Sequence, residues 1–157
     1  MNKKILFITY LYTTAFIGIV VIFWFSTLNN LTIYSPGLSL ALERATYCIA
    51  FAFLQILIFR ALIGTFKITI DKLSFARNKK EQTEDREFRL IVETLIMTNS
   101  ILISTIIVLV NDYILRSTPG REAGVYTILT SMLGVFIAAL MSYSWPIFNI
   151  SRPRSIK

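Results

Sequence analysis

The chain contains no histidine and a single cysteine, Cys48. Without imidazole, and with one thiol that has no intrachain partner, His-ligated metal sites, disulfide scaffolds and a Cys/His dyad are all excluded. Charge is scarce as well: 16% of the residues are Asp, Glu, Lys or Arg, against about 25% in an average soluble chain. Acids are scarcer than bases, nine against sixteen, which leaves a formal net charge of +7. In a soluble protein that excess would suggest nucleic acid as a partner. What is abundant points elsewhere, because 55% of the chain is hydrophobic and its mean hydropathy is +0.64. With 157 residues there is room for one ordinary domain or one compact membrane bundle.

A helix rising ~1.5 Å per residue needs about 20 apolar residues to cross a ~30 Å hydrocarbon core. Four stretches meet that length: about 5–25, 40–63, 90–110 and 125–148. Soluble helices need a polar face toward water and would not repeat such runs four times in a short chain. The expected fold is therefore an all-α integral membrane protein, a single domain over 1–157 with four transmembrane helices. Asn2-Lys3-Lys4 ahead of the first run is also the pattern of a secretory signal. That run is too long for a signal core, however, and its exit Trp24-Phe25-Ser26-Thr27 lacks a small-x-small cleavage pattern, so an uncleaved first span is expected.

Lysine and arginine collect on the cytoplasmic side of membrane proteins. With four spans, the side holding both termini and the middle loop carries thirteen of the sixteen Lys and Arg and six of the nine acids, the whole of the +7. The opposite side has Arg44, Arg116 and Arg121 against Glu43, Asp112 and Glu122 and is neutral. Both termini are therefore expected to be cytoplasmic, in the inner membrane of a bacterium. The outer loops, 26–38 and 111–124, contain Pro36-Gly37 and Pro119-Gly120. Pro followed by Gly suits a tight turn, so each loop is expected to close an antiparallel helical hairpin.

Residues 66–89 form the one sizeable polar region and are expected to be a charged cytosolic segment. Its first half, Lys67 to Lys80, has five basic residues against Asp71, interleaved with Phe66, Ile68, Ile70, Leu73 and Phe75. This mixture is expected of a segment lying on an anionic leaflet. Its second half, Glu81 to Arg89, has four acids, and the pairs Lys80/Glu84, Asp85/Arg89 and Arg89/Glu93 stand at i,i+4, the spacing that supports a helix. The third span is thus expected to begin as a cytosolic helical extension. Lys79, Lys80, Glu84, Asp85 and Arg86 are candidate docking residues for a soluble protein partner, against the plainer reading of a solvated linker.

Ionisable residues within spans are functional candidates by default. Arg60 and Glu93 both lie near the inner ends of their spans, where anchoring at the interface explains them. Glu93, Met97, Ser100, Ser104, Val108 and Asn111 recur at steps of three and four and share one helix face. Its polar members Glu93, Ser100, Ser104 and Asn111 form a candidate intramembrane stripe, read first as interhelical hydrogen bonding and second as a pore lining. Gly134 and Ala138 make a small-xxx-small pair, with Ser131 and Ser142 on the same face, and are candidates for close helix packing. Cys48 is expected to be a small packing residue.

No nucleophile with a base, no paired acids and no metal-ligand cluster occurs at usable spacing, so an enzyme is not expected, nor is a cofactor. The basic residues line a membrane flank, so neither is nucleic-acid binding. The expected function is that of an inner-membrane subunit that forms homo-oligomers through its spans and engages a cytosolic protein. Its alternatives are a pore former of holin or small-channel type, and an immunity or exclusion protein against a toxin, phage or plasmid. In size and span number the chain resembles the membrane subunits of some bacterial anti-phage systems, such as the four-span component of Kiwa, and immunity proteins to pore-forming colicins. That resemblance is of layout and implies a place in antiviral defence, but no functional residues.

Overall fold

A computed structural model describes the backbone of residues 3–27, 36–75, 82–118 and 124–144, and the side chains of 6–27, 41–66, 90–118 and 124–142. These residues form four helices: α1 Lys3–Thr27, α2 Pro36–Phe75, α3 Gln82–Ser117 and α4 Val125–Ser144. Each is long and apolar enough to cross a membrane, over Leu6–Thr27, Ala41–Phe66, Leu90–Ser117 and Val125–Ser142.

Local chemistry sets the helix ends. Pro36 opens α2 instead of occupying a turn, a correction to the expectation for Pro36-Gly37. The first helical turn has no use for the N–H that proline lacks, and its fixed φ is already helical. Gly124 caps α4, its carbonyl accepting from the N–H groups of Thr127 at 3.0 Å and Ile128 at 3.2 Å. The second outer loop starts later than the sequence suggests, because α3 continues through Asn111 and Asp112 to Ser117. Arg116 pairs with Asp112 at i,i+4 and 2.8 Å, and the wholly buried Leu115 holds that last turn against the core. Thr118 then closes the helix, donating from its N–H to Leu115 and from its hydroxyl to Ile114, both at 3.0 Å.

α2 and α3 are longer than one membrane crossing needs. With 40 and 36 residues they measure about 60 and 54 Å, well beyond a ~30 Å hydrocarbon core. Residues 67–75 continue α2 instead of forming a separate segment, and 82–89 open α3 as the i,i+4 pairs suggest.

α2 sits at the centre of the bundle. It packs against all three other helices, and most extensively against α4, which is not its neighbour in sequence, whereas the backbones of α1 and α4 do not approach closely among the described residues. The contacts fix relative directions. Gly18 faces Leu57 and Leu54 while Gly64 faces Leu11, so α1 and α2 run antiparallel. Arg44 lies over Tyr126, 5.1 Å from the ring centroid, and Cys48 meets Gly134, so α2 and α4 run parallel. The main core cluster, around Phe51, Leu54, Val108, Leu115 and Val135, draws on all four helices. A smaller one joins Phe59 of α2 to Val92 and Ile96 of α3.

Candidate functional site

The polar stripe of α3 faces into the bundle. Ser100 and Ser104 are wholly buried and Asn111 is buried with them, because at this spacing they share the face that carries Ile96, Val108 and Leu115 against α2 and α1. Glu93, at the opposite end of the stripe, is half-buried. What meets the serines is Gln55 of α2, also wholly buried. Ser104 donates to Gln55 Oε1 at 2.6 Å, Gln55 Nε2 donates to Ser100 Oγ at 2.9 Å, and Ser100 Oγ donates to the carbonyl of Met97 at 2.8 Å. The result is a directed chain in which both Gln55 and Ser100 accept once and donate once. Chains of this kind polarise one another where water is excluded.

Gln55 is the residue that sequence reasoning missed. Its signal was its isolation: one carboxamide in the otherwise apolar run Phe51-Ala52-Phe53-Leu54-Gln55-Ile56-Leu57-Ile58-Phe59. A primary amide left unpaired in hydrocarbon is costly, so a partner on another helix was to be expected, and the serines of α3 offered the one polar stripe long enough to supply it.

A second polar cluster lies near the other end of α3. The hydroxyl of Ser26 in α1, wholly buried, stands 2.5 Å from Asn111 Oδ1 and 2.9 Å from the carbonyl of Ile22, which it can donate to in turn. Asp112 is buried too, with Arg116 on Oδ2, while Oδ1 has no hydrogen-bond partner among the described residues. Buried side-chain hydrogen bonds thus join α3 to α2 through Gln55 and to α1 through Ser26. Arg60, by contrast, is exposed, near the end of its apolar window where a long side chain can reach headgroups.

The α2–α4 contact is of another kind. Thr127, Ser131, Gly134, Ala138 and Ser142 are all buried along one face of α4. A Cβ on Gly134 would stand 2.9 Å from the carbonyl carbon of Cys48 and 3.1 Å from its Cα, and closer still to its oxygen. The helices therefore touch backbone to backbone at this point, which small residues permit. Ser142 Oγ is buried there with no hydrogen-bond partner among the described residues.

No family model, curated protein or solved structure matches the chain. Of the candidate docking residues, Lys79 and Lys80 lie outside the described residues, as do the 28–35 and 119–123 parts of the outer loops. Glu84, Asp85 and Arg86 lie on the first turns of α3, and their side chains are outside the described set. Ser100 and Ser104 of the stripe and Gly134 of the packing pair, in contrast, are brought onto α2, which meets α3 through Gln55 and α4 through Cys48, while Asn111 meets Ser26 of α1.

Proposed function

We propose that this protein is a non-enzymatic, multi-pass membrane subunit that associates with itself through its spans and holds a soluble protein with the charged segment 66–89. In this reading it lies in a bacterial inner membrane as two antiparallel hairpins with both termini cytoplasmic. The observation that carries the proposal is the length of α2 and α3. The charged residues 67–75 and 82–89 are helical, adding about 13 and 12 Å to the two helices. Only residues 76–81 lie between them in the chain. A bare connector at a membrane surface has no need of two helical extensions, and a charged one is suited to holding a partner by complementary charge.

The burial of Ser100 and Ser104 against Gln55 weighs against the pore alternative. Residues meant to line water in an oligomer would have to leave hydrogen bonds they already make. The pore reading requires conductance in planar bilayers that changes on replacing Ser100 and Ser104 with leucine; silent bilayers are the expected result.

Recovery of the intact protein from native membranes in mild detergent should bring down a cytosolic protein. Reversing the charge of Lys79, Lys80, Glu84 and Asp85 together should abolish that recovery while leaving the protein in the membrane. Equal recovery with and without the reversal would sink the docking assignment. The first process to test is antiviral defence: protection of cells from an invader that depends on a second, soluble component supports the subunit reading. Protection by expression of this chain alone would transfer the proposal to the immunity alternative. Thiol accessibility of single cysteines placed in 1–4 and 150–157 measures orientation, with labelling from the cytoplasmic side as the expected outcome.

A further inference from the structure

With its polar stripe turned inward, α3 presents to the outside a face of regular composition. Leu95, Asn99, Leu102, Ile106, Leu109 and Tyr113 are all exposed, the five apolar or aromatic ones by 52 to 73%. Their steps are four, three, four, three and four, a 3.5-residue repeat that stays on one seam for about 27 Å. In heptad terms leucine occupies every d position, 95, 102 and 109, while the a positions are Asn99, Ile106 and Tyr113. In two-stranded coiled coils a single asparagine at an a position fixes parallel register, and between membrane helices, where leucine gains nothing over lipid, such a polar side chain is what holds the contact.

Asn99 distinguishes this face from the other outward faces. Among the described residues it is the one exposed carboxamide within the four apolar windows, since Gln55 and Asn111 are buried. Within the span expected from the sequence, 90–110, it stands about 14 Å along the axis from one end and about 17 Å from the other, too deep there for its short side chain to reach either interface. One N–H of its amide donates to the carbonyl of Leu95 at 2.9 Å. Its carbonyl oxygen and second N–H make no hydrogen bond among the described residues, and in hydrocarbon such unpaired polar groups are costly. The neighbouring hydroxyls of Thr94 and Thr98 differ, because each already donates to its own helix, at 2.9 Å to the carbonyls of Leu90 and Thr94.

We infer that α3 is the dimer face of this protein, with a second copy seated along Leu95, Asn99, Leu102, Ile106 and Leu109 and the two Asn99 amides exchanging hydrogen bonds across the symmetry axis. An amide is both donor and acceptor, so it is its own complement in a two-fold contact. Copies inserted the same way in one membrane bring their α3 helices together in parallel, which sets Asn99 against Asn99 and each leucine against its equivalent. The inference rests on the self-associating membrane subunit proposed above and assigns its face. The Gly134–Ala138 surface is already occupied by α2 within each copy.

The test uses full-length protein reconstituted in liposomes, in a Cys48→Ala background. Ile106→Cys should form an oxidant-dependent disulfide dimer, and Leu133→Cys, on the exposed face of α4, should not. With donor and acceptor dyes on separate copies, energy transfer measured against lipid dilution gives the dissociation constant. Asn99→Leu should weaken the dimer about ten-fold, Asn99→Gln should largely retain it, and Leu133→Ala should leave it unchanged. Thermal unfolding of each variant shows whether the monomer is intact. Should Asn99→Leu fail to fold, the two cysteine positions still decide the face. Cross-linking at 133 but not at 106, or a dissociation constant unmoved by Asn99→Leu, would overturn the α3 assignment while leaving self-association standing. Monomer at every dilution would remove both. Recovery of a soluble partner is read separately and bears only on segment 66–89.

Discussion

Replacing Gly134 with leucine is expected to drive α4 off α2 and to unfold the bundle in mild detergent. The physical reason lies in what the new side chain would meet. Overpacking a core costs typically 1–3 kcal/mol when neighbouring side chains can shift. Here the obstacle is the backbone of Cys48 itself, its carbonyl carbon 2.9 Å from the position of a Cβ, in the middle of a helix hydrogen-bonded along its length. The cost of Gly134→Leu should therefore exceed about 3 kcal/mol. Gly134→Ala is the sharper control. Alanine gains roughly 1 kcal/mol of helix propensity over glycine, yet its single methyl already collides, so the net effect should still be destabilising. Cys48, the lone thiol and half-buried, reports the outcome directly: maleimide labelling should accelerate in step with the loss of thermal stability. A Gly134→Ala protein as stable as the parent, with Cys48 labelled no faster, would show that the helices are not in backbone contact.

The second large effect belongs to Gln55. Gln55→Leu keeps the volume and removes two interhelical hydrogen bonds, those to Ser100 and Ser104. Such bonds average ~0.6 kcal/mol in membrane proteins and reach about 1.7, and freed serine hydroxyls can fall back on carbonyls of their own helix. A loss of about 1–2 kcal/mol is expected for leucine. Gln55→Ala adds a cavity at a site with no exposure, which raises the loss to roughly 3–4 kcal/mol. Unfolding free energies in detergent for the two variants, with Ser104→Ala in a double-mutant cycle, separate hydrogen bonding from packing. Equal losses for leucine and alanine would mean that volume at this position does not matter and that the site is not close-packed. A Gln55–Ser104 coupling of zero would remove the hydrogen bond from the account.

How much of this was legible beforehand depended on the range of each interaction. The four helices follow from run length alone, since each apolar window is a local property of consecutive residues. The early part of α3 was legible for the same reason, through the i,i+4 pairs between Lys80 and Glu93. The stripe Ser100, Ser104, Asn111 was visible as a face, because helical periodicity places those residues together. What that face meets was not visible, because Gln55 lies 45 residues before Ser100 and no local pattern ties them. The end of α3 was misplaced by treating Asn111 and Asp112 as loop residues on polarity. Asp112 pairs with Arg116 one turn on, and Leu115 is wholly buried, so burial of that turn kept it helical.

The sequence by itself determined that there are four long apolar helices, that the charge excess gathers beside them in the middle segment and at the termini, and that α3 has a polar face. Only the tertiary structure decided how those faces are used. It turned the polar stripe of α3 inward onto Gln55 and Ser26, set Gly134 against Cys48, and left a leucine seam with one asparagine facing out. The reason is that in a chain greasy on nearly every side, hydrophobicity does not say which face is the inside. That choice falls to the few groups hydrocarbon cannot satisfy, the buried amides and hydroxyls and the close backbone contact, and these find their partners only when helices distant in sequence meet.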